Sequence, residues 1–107
     1  MPTLDPPAAI DAFSALAQET RLAVFRLLMK EGLDGLMAGE IAERLGVHPS
    51  TLSGHLNLLT RASLLKSRRS QRRIIYSVDI NGTRQLLRFL TDDCCNGHPE
   101  ICQELDP

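Results

Sequence analysis

Three cysteines fall within nine residues of this 107-residue chain, in Asp92-Asp93-Cys94-Cys95-Asn96-Gly97-His98-Pro99-Glu100-Ile101-Cys102, and the chain has no others. An odd number of thiols argues against a disulfide framework. Three soft thiolates in a short segment suit a soft, three-coordinate, thiophilic ion, and trivalent arsenic is such an ion. His98 offers a fourth ligand, so a Cys₃His zinc site stands beside that reading. Neighbouring helical residues diverge by about 100°. Cys94 and Cys95 therefore grip one ion only where the final helical turn has unwound. Gly97 permits unusual dihedrals and Pro99 stops a helix, which lets the chain fold back and carry Cys102 toward the pair. Asp92 and Asp93 fall at a helix C-terminus, where the macrodipole already disfavours negative charge. Resting thiols there are poor nucleophiles, and an electrophilic ion that displaces their protons relieves the repulsion.

A second constellation is electrostatic. The net charge is −1, yet the segment 44–78 holds seven of the twelve basic residues (Arg44, Arg61, Lys66, Arg68, Arg69, Arg72 and Arg73) and no acid before Asp79. The rest of the chain carries five basic and all thirteen acidic residues, a net of −8. A basic middle between acidic flanks is expected when one surface meets a polyanion; a merely solvated basic face is the plainer alternative.

The elements that must position these residues follow from periodicity. Asp5-Pro6 reads as a helix N-cap followed by proline at the first helical position. Ile10, Phe13 and Leu16 give a first helix to about Ala17. A second begins near Glu19-Thr20, with Leu22, Phe25, Leu28 and Met29 on one face, and ends at a loop marked by Gly32 and Gly35. A short third helix spans roughly Gly39 to Leu45, with Gly46 as its left-handed cap. The fourth runs from Pro49 to Ala62. With Leu52 at zero, Leu56 falls at about 40° and Leu59 at about −20°, so these three face the core. Ser50, Ser53, Gly54, Asn57 and Arg61 fall on the far side. Only Gly46-Val47-His48 separates the two helices, and such a tight pair is a helix-turn-helix. His55, at about −60°, reads as a histidine packed at the rim of the core rather than a base contact. A hairpin follows, with strands from Leu64 to Arg68 and through Ile74, Tyr76, Val78 and Ile80, and a tip of Arg69-Ser70-Gln71-Arg72. Asn81-Gly82-Thr83 then turns the chain into a last helix with Leu86, Leu87 and Leu90.

A helix presenting short polar side chains fits the DNA major groove, and a basic loop beside it reaches phosphates or the minor groove. The expected DNA-contacting residues are Ser50, Thr51, Ser53, Asn57 and Arg61 on the fourth helix, and Arg68, Arg69, Arg72 and Arg73 on the hairpin. The expected fold class is mostly α with a small β-hairpin, organised as one domain over residues 1–107 with a cysteine-containing tail at 94–107.

Leu22 to Leu28, Gly39-Glu40-Ile41-Ala42-Glu43-Arg44-Leu45-Gly46-Val47 and Leu52-Ser53-Gly54-His55-Leu56-Asn57-Leu58-Leu59 resemble the ArsR/SmtB metalloregulatory repressors over roughly residues 8–95. The most specific pieces are Glu19-Thr20-Arg21-Leu22 and Ser53-x-His55-Leu56. The resemblance implies a winged helix-turn-helix homodimer, with the first and last helices at the interface. It implies a repressor of transcription that leaves double-stranded operator DNA when a metal or metalloid binds. The cysteine pattern resembles the C-terminal arsenite site of one subgroup, which carries Cys94, Cys95 and Cys102 over as ligands of As(III), with Sb(III) as a second inducer. A zinc- or cadmium-responsive relative is the alternative. Gly54 and Asn57 depart from the family, many members having a larger or basic residue there, which shifts electrostatic affinity toward the hairpin. A small thiol reductase is the alternative from another class, but the chain has no Cys-x-x-Cys and no anion-cradling glycine loop. The expectation is a non-enzyme without organic cofactor. No apolar stretch approaches the ~18 residues that span a bilayer, and the start lacks the basic and apolar regions of a signal peptide, so the expected compartment is the cytosol.

Overall fold

The computed structural model describes residues 4–91. Five helices and a three-stranded sheet follow in the order α1 (Pro6–Leu16), α2 (Glu19–Glu31), a single 3₁₀ turn (Gly32–Asp34), β1 (Leu36–Met37), α3 (Ala38–Leu45), α4 (Pro49–Arg61), β2 (Leu65–Ser70), β3 (Arg73–Val78) and α5 (Ile80–Thr91). Local capping accounts for most boundaries. The Asp5 carboxylate accepts the Ala8 N–H at 2.9 Å, and Pro6 supplies a helical φ. The Gln18 side chain accepts the Arg21 N–H at 2.9 Å to start α2. Gly46 ends α3 in the left-handed conformation, with φ 66°. Just beyond it the His48 imidazole Nδ1 accepts the Ser50 N–H at 3.2 Å and opens α4.

The sheet has the order β1-β3-β2 and is antiparallel throughout. Leu65 pairs with Val78 and Ser70 with Arg73, so the hairpin is longer than expected and its tip is Gln71-Arg72 alone. Gln71 takes φ 60°, a conformation tight hairpin turns require. The short β1, which periodicity does not reveal, pairs Leu36 with Tyr76 and Met37 with Ile75 and ties the hairpin to the start of α3.

The core brings together Val24, Leu28, Leu36, Ile41, Leu52, Leu56, Leu59, Leu64, Leu65, Val78 and Leu86. Each leucine withdrawn from water contributes about 1.5–3 kcal/mol. The leucine face of α4 is where the periodicity puts it. Three expectations fail. In α1 Phe13 and Leu16 pack partly buried against the core, but the fully buried stripe is Ala9, Ala12 and Ala15, and Ile10 is 64% exposed; small side chains let the helix lie close to its neighbours. In α2 the buried residues are Val24 and Leu28, and Leu22 and Met29 face outward. Ile80 is no strand residue: Asp79 accepts the Gly82 N–H on its carboxylate at 3.0 Å and the Thr83 N–H on its carbonyl at 2.9 Å. That cap draws Ile80, Asn81 and Gly82 into the first turn of α5, where a Cβ on Gly82 would collide with the Ser63 carbonyl. No helix of the described residues is long and apolar enough to cross a membrane.

Candidate nucleic-acid interface

The site is assembled by α3, α4 and the β2–β3 hairpin. Burial of Leu52, Leu56 and Leu59 fixes the rotation of α4 about its axis and leaves Ser50, Thr51, Ser53, Gly54, Asn57 and Arg61 exposed. No acidic residue lies on α4. Ser50 is held at the first turn, its Oγ 2.7 Å from His48 Nδ1. Arg61 stands at the far end, on the side facing α1, where it lines a groove of about 220 Å³ with Asp11, Ser14, Ala15, Leu58 and Ala62.

On the hairpin, Arg68, Arg69, Arg72 and Arg73 are all exposed. They are not equivalent. The Arg68 guanidinium donates to the Asp34 carbonyl at 3.0 Å, which straps β2 to the 3₁₀ turn. Arg69, Arg72 and Arg73 project from the distal half of the hairpin. Arg44, which belongs to the basic segment, is paired with Glu31, and its charge is offset locally. Arg69, Arg72 and Arg73 thus gather positive charge at the hairpin end, with Lys66 at its base and Arg61 on α4 also exposed.

His55 is half-buried and accepts from the Arg21 guanidinium at Nδ1, 3.3 Å away. Arg21 also donates to the carbonyls of Ala15 at 2.6 Å and Ser14 at 3.4 Å. One side chain thereby joins the end of α1, the start of α2 and the inner edge of α4. The sequence marks residues 19–22 as distinctive but gives Arg21 no role, because its partner is 34 positions away. Cys94, Cys95, Cys102, His98, Asp92, Asp93 and Glu100, together with the expected 94–107 tail, lie outside the described residues. Among the described residues no group of three or more His, Cys, Asp or Glu side chains converges on a metal position.

Two short helices at a tight turn, a third packed behind them and a hairpin at their side define a winged helix-turn-helix domain. A family model described as a helix-turn-helix domain matches residues 16–68. The nodulation protein NolR of Rhizobium meliloti is 32% identical over 82% of this chain and 70% of its own length. The transcriptional repressor SdpR of Bacillus subtilis is 33% identical over 85% of this chain and 98% of its own. An ArsR-like transcriptional regulator from Rhodococcus sp. RHA1 shares the fold with a TM-score of 0.74 at 24% identity, over 94% of this chain and 93% of that one. The chain belongs to the family of helix-turn-helix transcriptional regulators that includes NolR and SdpR. Its relatives are regulators and not enzymes, which removes the thiol-reductase alternative.

Proposed function

We propose that this chain is a homodimeric repressor that binds operator DNA and releases it when trivalent arsenic, or antimony, is held by Cys94, Cys95 and Cys102. The observation that carries the DNA reading is the joint exposure of an acid-free α4 face and the Arg69, Arg72 and Arg73 charges beside it. A helix in the major groove with a cationic wing on the adjoining phosphates uses both. Support for a dimer comes from α1 and α5, which pack together and expose Ile10, Leu87 and Leu90. A second copy covering these residues would set two α4 helices in successive major grooves, about 34 Å apart. The cysteine segment directly follows α5 in the chain, so an ion that gathers the three sulfurs acts at the end of the helix on which the dimer turns. A coupling of about 1–3 kcal/mol gives a 5–150-fold loss of DNA affinity.

The test is a mobility shift on the DNA upstream of the chain's own gene, across a salt series, with and without arsenite. Steeply salt-dependent binding that arsenite weakens is expected, and Cys102→Ser should bind normally and resist release. Binding indifferent to salt would remove the DNA reading. Release by zinc or cadmium but not arsenite would replace the inducer and bring back the Cys₃His alternative with His98.

A further inference from the structure

Ser50, Gly54, Asn57 and Arg61 follow one another at i, i+4, i+7 and i+11, and therefore form a single line down the exposed face of α4. Gly54 sits at its centre, in the sixth position of a thirteen-residue helix. Glycine in a helix interior is less favourable than alanine because it loses more backbone freedom on folding. Gly39 likewise has open space around it, but it stands in the first turn of α3, outside the helix interior where glycine costs most; at the other described glycines a reason is visible. Gly32, Gly35 and Gly46 hold positive φ, and Gly82 has the Ser63 carbonyl against it. Gly54 has neither: its φ is not positive, and a Cβ placed on it would meet nothing within 4 Å. Nothing inside the chain asks for the missing side chain.

The neighbours of Gly54 indicate what does. Ser50 and Ser53 end one or two bonds beyond Cβ, and Asn57 reaches little further. The floor of the major groove lies about 8.5 Å deep. A helix whose base-reading groups are this short touches base edges only when its backbone lies deep in the groove, and a central Cβ would be the first atom to meet the wall. The absence of acid on the helix and the adjoining wing arginines make a nucleic acid the complementary occupant of this line.

We infer that Gly54 is a specificity-determining position: its bare backbone sets the depth at which α4 docks in the major groove, and so brings Ser50, Ser53 and Asn57 to the base edges. The inference rests on the DNA-binding reading above and deepens it. It separates two contributions, with the wing arginines supplying sequence-independent affinity and the close approach at Gly54 supplying discrimination.

The test uses the full chain with Gly54→Ala and Gly54→Leu. Duplexes enriched from a random pool by the unsubstituted chain serve as the specific probe, and an unselected duplex of equal length as the non-specific one. Gly54→Ala is expected to raise the Tm by about 4 °C. It should lower affinity for the enriched duplex about tenfold or more, the scale on which one base pair is discriminated, while changing affinity for the unselected duplex less than about twofold. Gly54→Leu should lower the specific affinity further. Undiminished specific binding by Gly54→Ala, equal weakening on both duplexes, or a lowered Tm would each overturn the inference while leaving DNA binding in place. Failure of the unsubstituted chain to enrich any duplex would overturn both.

Discussion

The Arg21 guanidinium satisfies three acceptors at once, the Ala15 and Ser14 carbonyls and the His55 ring nitrogen. Hydrogen bonds to a charged donor in a half-buried setting are worth more than neutral ones because less water competes for them. Arg21→Met keeps most of the aliphatic stem and removes all three. We expect it to cost about 1–3 kcal/mol, measured by denaturant unfolding at equal protein concentration, with the salt slope of DNA binding unchanged because Arg21 faces inward. Helical angle alone places His55 at the rim of the core, but it is silent on the partner. The angle is local and the partner arrives from another helix. The same holds for Arg44 and Arg68. Their charge reads from sequence as part of one basic surface, whereas Glu31 and the Asp34 carbonyl occupy them.

At the scale of elements, the helix-turn-helix is the most legible part. Gly46, His48-Pro49 and the Leu52, Leu56, Leu59 spacing are strong local signals, and α4 ends one residue from the expected Ala62. The alternation of apolar residues makes the wing too short, because Ser70 and Arg73 are polar and only their pairing across the turn makes them strand residues. The two-residue β1 has no pattern of its own and exists because β3 offers it a free edge. Function divides along the same elements. Arg72→Ala with Arg73→Ala should weaken DNA binding at low salt and flatten the dependence of log K on log salt by about 1 for each phosphate left without its arginine. Both side chains are exposed, so the Tm should move little. A binding titration at four or five salt concentrations with parallel melting curves reads both; an unchanged slope would take the wing off the DNA.

For the whole molecule, the acidic flanks and basic middle meet at Arg44 and Glu31, while Arg69, Arg72 and Arg73 stand together and exposed on the wing. Ile10, Leu87 and Leu90 are 64%, 49% and 61% exposed, a large apolar cost for a chain this short. Leu87→Glu with Leu90→Glu should leave the monomer fold intact, since Leu86 rather than either of these residues packs in the core. Sedimentation should then show a single-chain species. Binding to a two-half-site duplex should fall far more than binding to a single half-site. A dimer that survives both charges would place the interface elsewhere.

Residue types and spacing determined the class of the fold, the register of α4 and the identity of its outward residues. All of these depend on short-range geometry, in which a helical repeat or a cap is specified within a few positions. Tertiary structure alone decided that α1 packs through alanines, that α2 turns Leu22 and Met29 outward, that Arg21 binds His55, and that Gly54 answers to nothing within the chain. Each of these depends on which surfaces meet across the fold. A single strand of sequence carries no distances between residues far apart along it, and packing chooses among the apolar faces that periodicity leaves equivalent.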